Sequence, residues 1–177
     1  QNSRRDLQGN RKMNRTILAV ALFSFIAGAW WTMAQPSASA HCQIPCGIYD
    51  DPARIAGLKE DAATIRKAVV SLKEMMGPQD HSHGEAGDLL MFNQGSRWVL
   101  AKDQHAQMIQ DVASYYFLTQ RVKAVPAGEE GHDTYMAQLA GFPRILVAAM
   151  KCKQTVDLAN VDELDAAIAA VAGWYTK

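Results

Sequence analysis

DPARIAGLKEDAATIRKAVVSLKEMMGP, residues 51–78, is the stretch that decides the fold. Ile55, Leu58, Ala62, Ile65, Val69, Leu72 and Met76 recur at alternating steps of three and four, which puts them on one face of a helix. Asp51 is a good N-cap, and Pro52 suits the first helical position, where its missing N–H costs nothing. Gly77-Pro78 ends the pattern. The spacing therefore predicts a long amphipathic helix that must bury its apolar stripe against other elements.

Downstream the same period returns. Residues 77–88 (GPQDHSHGEAGD) read as a polar connector, with His81-Ser82-His83 in a solvated loop. A second helical region is expected in two pieces, 88–93 and Arg97–Val122, broken near Gly95; Val99, Ala106, Ile109, Ala113 and Tyr116 share a face. Val125–His132, with Pro126, Gly128 and Gly131, reads as a loop. A third helix is expected over Thr134–Gln154, with Tyr135, Leu139, Phe142, Leu146 and Ala149 on its seam and a kink or restart at Pro143. A fourth is expected over Val161–Tyr175, with Val161, Leu164, Ile168, Val171 and Tyr175 repeating the spacing. Strand-like alternation is absent. The expected fold is all-α, an antiparallel four-helix bundle preceded by an irregular N-terminal segment. Trp98, Tyr115 and Phe142 fit core spacing, and Cys152 reads as a small buried apolar residue. Lys102 and Lys123 read as surface charges, and His105 as core or as support for a site.

Upstream, residues 1–40 read as a leader. Asn14-Arg15 gives a basic flank, and Ile17–Trp31 (ILAVALFSFIAGAWW) is an uncharged apolar run. As a helix that run spans about 22 Å, short of the roughly 20 residues a membrane anchor needs. Thr32–Ala40 follows as a polar stretch ending in Ala38-Ser39-Ala40, the small-x-small pattern of a signal-peptidase site. Met13 would open a conventional export signal, while Ser3-Arg4-Arg5-Asp6-Leu7 only partly matches a twin-arginine signal. Cutting after Ala40 leaves 41–177 as one domain, exported to a periplasmic or extracellular space. The chain has 18 basic and 18 acidic side chains, of which five and one lie in the leader, so the remainder carries a net charge of −4. No basic patch points to nucleic acid, and attraction of an anionic substrate has to be local.

The same cut would make His41 N-terminal, with Cys42 second, in His41-Cys42-Gln43-Ile44-Pro45-Cys46-Gly47-Ile48-Tyr49. A free His41 amine, the Cys42 backbone nitrogen and the Cys42 sulfur lie along one short chain, so a metal holding all three closes two fused five-membered rings. Pro45 and Gly47 permit a reversal that returns the Cys46 sulfur as a fourth donor, with the His41 imidazole able to approach axially. Four donors of the N₂S₂ type favour a square-planar ion, nickel(II) or copper(II), over tetrahedral zinc, and copper readily oxidises thiolates. Two thiolates and a deprotonated amide stabilise trivalent nickel and suit one-electron exchange. Two other readings stay open from the residues: an exported nickel- or copper-binding protein without turnover, and a helical domain with a structural Cys42–Cys46 disulfide.

HCQIPCGIY resembles the metal hook of nickel superoxide dismutases, H-C-x-x-P-C-G-x-Y, at all six fixed positions. The similarity continues through Arg97-Trp98-Val99, Lys102, His105-Ala106, Ile109-Gln110, Tyr116-Phe117, Gln120-Arg121, Ala148-Ala149-Met150 and Lys153-Gln154-Thr155, in the manner of the marine and cyanobacterial branch. It implies an enzyme that converts superoxide to dioxygen and hydrogen peroxide with one nickel ion per subunit. It further implies His41, Cys42 and Cys46 as metal ligands, Tyr49 closing over the open axial face, Tyr116 as a second tyrosine nearby, and a homohexamer. Some relatives have a glutamate that orients the histidine and an arginine that holds it; the corresponding region here offers Ala56 and His105.

Overall fold

The computed structural model describes residues 47–77 and 84–176, all within the unit His41–Lys177. Four α-helices make up this part: α1 (Asp51–Met75), α2 (Gly84–Asp111), α3 (His132–Gln154) and α4 (Leu158–Ala172). A π-helical segment, Val112–Arg121, continues α2 directly. Each helix packs against its neighbours in chain order, and α4 closes back onto α1. The fold is therefore all-α, a four-helix bundle, and there is no strand among the described residues.

The stripe of α1 is buried as its spacing requires: Ile55, Leu58, Ala62, Ile65, Val69 and Leu72 lie in the interior, joined by Ala68. Met76 falls just past the helix end and is exposed. On α4 every expected seam position, Val161 to Tyr175, is buried, although the helix itself closes at Ala172 and the chain reaches Tyr175 through a last turn. Between these stripes lies an aromatic stack. Phe117 packs on Phe142 at 5.0 Å and on Tyr175 at 4.7 Å between ring centroids. Burying one such ring stabilises the fold by about 1.5–3 kcal/mol. At Gly141 α3 approaches α4 so closely that an added Cβ would meet a Val171 methyl at 2.9 Å.

Several expectations need correction. The N-cap of α1 is Asp50, whose carboxylate accepts from the Ala53 amide at 3.0 Å, and not Asp51. α2 is continuous from Gly84 through Gly95, because one glycine costs only about 1 kcal/mol among good helix formers. Its early turns are poorly covered, so Val99 is exposed. α3 begins at His132, earlier than expected, and Pro143 does not break it; the proline lies on the exposed side, where water can meet the carbonyl it leaves without a donor. The seam of α3 is Phe142, Ile145, Ala148, Ala149 and Cys152, with Leu139 exposed and Tyr135 and Leu146 half-buried. Tyr115 is 54% exposed. The π winding turns Tyr116 and Phe117 inward in its place.

Lys102 is the largest correction. It is 1% exposed. Its Nζ donates to the carbonyls of Cys152 and Lys153 at 2.5 and 2.8 Å and pairs with Asp103 at 2.8 Å. The carbonyls at the end of α3 have no intrahelical partner, and a cation there also opposes the helix dipole. Lys123, by contrast, is exposed as expected. Further polar ties cross the bundle surface: Arg66 of α1 bridges Asp162 and Asp165 of α4, and His105 of α2 sits half-buried with Nδ1 2.7 Å from Asp61 of α1. Lys102→Met should lower unfolding stability by about 2–3 kcal/mol, since it leaves buried carbonyls without a donor. Urea titration followed by circular dichroism measures this; an unchanged midpoint would show that the cap carries no weight.

Candidate functional site

Where the nonapeptide joins the bundle, one carboxylate collects several partners. Asp51 is free to do so because Asp50 has taken the capping role. The Arg121 guanidinium grips it as a fork, with Nε 2.8 Å from Oδ1 and Nη2 2.7 Å from Oδ2. The Tyr116 hydroxyl donates to Oδ1 at 2.7 Å. Above this group lies Tyr49, its ring edge-on to Tyr116 at 5.8 Å and beneath the Arg121 guanidinium at 4.4 Å. The Tyr49 hydroxyl donates to Gln120 Oε1 at 3.5 Å, and Gln120, itself buried, donates to the Tyr115 carbonyl. Arg54, exposed on the first turn of α1, holds its guanidinium 5.2 Å from the Tyr116 ring centre.

The π winding makes this cluster possible. At about 3.6 residues per turn, positions 116 and 121 would stand about 140° apart around the helix. An i→i+5 ladder brings residues five apart back toward one face. Its spacing shows in the Val122 amide bonded to the Phe117 carbonyl, and in Thr119 and Gln120 side chains bonded to the carbonyls of Ser114 and Tyr115. Tyr116 and Arg121 thus reach the same carboxylate. Their separation of five gave no helical-face signal in the sequence, so Asp51 and Arg121 went unrecognised there as site residues.

The charges set the protonation states. Burial works to raise the Asp51 carboxyl, but the bonds from Arg121 and Tyr116 and the Arg121 charge outweigh it, so its pKa falls below the ordinary value. Burial pushes the Tyr116 phenol up to about 12, helped by its bond to Asp51 and that residue's charge. Tyr175 is also pushed to about 12, by burial and then by Asp51, and its buried hydroxyl has no hydrogen-bond partner among the described residues. Both tyrosines are neutral near neutrality, and Tyr116 donates to Asp51.

Of the residues expected to form the site, Tyr49 and Tyr116 are brought together. His41, Cys42 and Cys46 lie outside the described residues, as do His81 and His83. Among the described residues no group of three or more His, Cys, Asp or Glu side chains could hold a metal. Cys152 is buried, its thiol pushed by burial up to about 11, as befits a core residue. Ala56 is exposed. The two thiols of the nonapeptide, with the Cys42 amide and the amine His41 would carry if it were terminal, would fit nickel(II) better than zinc.

A four-helix bundle preceded in the sequence by His-Cys-x-x-Pro-Cys, with Tyr49 packed on Tyr116, is an arrangement suited to a metal-binding helical protein. The sequence model of nickel-containing superoxide dismutase matches residues 36–177, and the chain belongs to that family. It is accordingly a nickel-dependent oxidoreductase acting on superoxide. No curated protein and no solved structure is significantly similar to it.

The raised phenol carries a linkage consequence. Tyr116 contributes stability that is complete below its unfolded pKa of 10.0 and is lost as pH rises toward about 12. Tyr116→Phe should therefore show a shallower fall in melting temperature than the parent as pH rises from 10.0 to about 12. Identical slopes would mean that Asp51 and burial do not hold the phenol neutral.

Proposed function

We propose that this is an exported superoxide dismutase whose metal site comes into being when cleavage after Ala40 frees the His41 amine. The match to the family over residues 36–177 carries the reading, because it takes in the whole nonapeptide and the bundle behind it. Residues 1–40, with a basic flank, an apolar run and Ala38-Ser39-Ala40, support cleavage by signal peptidase and a periplasmic or extracellular location. Among the described residues no helix is long and apolar enough to cross a membrane.

The ligands would be the His41 amine and imidazole, the Cys42 amide nitrogen and sulfur, and the Cys46 sulfur. Nickel held there supplies one-electron exchange between its divalent and trivalent states. Two superoxide ions and two protons give one dioxygen and one hydrogen peroxide. The chain's own residues have three tasks. Tyr49 and Tyr116 stand edge to face at the exit of the nonapeptide, narrowing it to small species. Tyr116 stays protonated and donates to Asp51, so it adds no phenolate charge beside the path of an anion. Arg54, with no ion pair among the described residues, supplies local positive charge on a domain whose net charge is negative.

Superoxide consumption should require added Ni²⁺ and an N-terminus verified as His41. Retaining Ala40, or making Cys42→Ser or Cys46→Ser, should lower it by at least about a thousandfold, since the electron-exchanging group is lost. Nickel binding without turnover would favour a binding protein, and neither property would favour the disulfide.

Self-association into a homohexamer is part of the same reading. α2 exposes Leu89, Leu90, Phe92 and Leu100, and of these Phe92 and Leu100, with Met76 at the end of α1, border a cleft of about 540 Å³. Clustered exposed apolar side chains of this kind mark protein–protein contact surfaces. Phe92→Glu should reduce the mass measured by light scattering to that of a smaller species; a monomeric parent protein would remove this part of the reading.

A further inference from the structure

We propose that Arg121 is a positioning residue that docks the end of the nonapeptide onto the bundle, acting through Tyr49 and Asp51. Its catalytic consequence rests on the dismutase reading; the docking itself does not.

Three observations carry it. First, Tyr49 is where the described chain first packs on the bundle, since Ile48 before it is 81% exposed. Second, the contacts of Tyr49 to Tyr116, Gln120 and Arg121 all fall on the π-helical segment, and none of these partners comes from α1, to which Tyr49 is joined in sequence. Of the three, the hydrogen bond to Gln120 is long at 3.5 Å, and the Tyr116 contact is ring edge to ring face. The guanidinium over the ring at 4.4 Å is the close polar contact. Third, the Arg121 plane is itself fixed, because Asp51 takes the fork at both oxygens. A lysine would keep the charge but could neither fill both oxygens nor present a flat face to the ring. Arg121 therefore couples three things: the first turn of α1, the last turn of the π-helical segment and the exit of the nonapeptide.

The test compares Arg121→Lys and Arg121→Met with Arg66→Met, which breaks another interhelical ion pair without touching Tyr49. In the metal-free full chain, both Arg121 variants should shift the Tyr49 ring resonances. They should also speed amide hydrogen exchange at Ile48–Asp50 about tenfold, while Arg66→Met changes neither. After processing to His41 and loading with nickel to equal stoichiometry, kcat/KM should fall in both Arg121 variants and not in Arg66→Met. Unmoved Tyr49 signals would overturn the proposal. So would an Arg121→Lys protein with parental exchange and parental ring signals, because charge alone would then suffice. A parent without dismutase activity whose Tyr49 signals still respond to Arg121 would overturn the functional reading and leave the docking role standing.

Discussion

The carboxylate of Asp51 holds the start of α1 against the end of the π-helical segment, and the arrangement at the mouth of the nonapeptide depends on it. It accepts from Arg121 and Tyr116 while the neighbouring Asp50 caps the helix, so two adjacent aspartates divide two duties. Had Asp51 been spent on the cap, the fork of Arg121 would face no partner and Tyr116 would lose its acceptor. Lone buried phenols and guanidinium groups are costly. The cluster is therefore close to all-or-none, and its low-lying carboxyl keeps it assembled through the neutral range.

Chemistry and architecture are separated along the chain. On the proposed reading the donors for nickel would come from residues 41–46, whereas the bundle contributes Tyr116, charge and a rigid face. Rigidity comes from the aromatic stack of Phe117, Phe142 and Tyr175, which begins one residue after Tyr116. A displacement of that stack would be felt at the mouth through Tyr116 itself. The domain's net negative charge leaves local cations such as Arg54 to oppose repulsion of an anionic substrate.

Much of this was legible in the sequence where period governs. The stripes of α1 and α4 read true because each apolar residue sits at a spacing that only one face satisfies. Phe142 and Cys152 were placed in the core for the same reason. Legibility failed where a residue's fate depends on another element. Lys102 looks like a surface charge until the end of α3 brings its open carbonyls alongside. Gly95 looks like a break until its neighbours carry the helix through. The π winding leaves no periodic trace, so Arg121 and Asp51 look unrelated in the sequence.

Cys152 has a consequence beyond packing. Peroxide oxidises thiolates far faster than thiols, and this thiol is both buried and pushed up to about 11. An enzyme that releases hydrogen peroxide thus keeps the third of its three cysteines out of reach of its own product. Cysteine oxidation would then be confined to Cys42 and Cys46, and the thiol in the core would outlive the reactive end: a molecule with a spent hook would keep its packed interior.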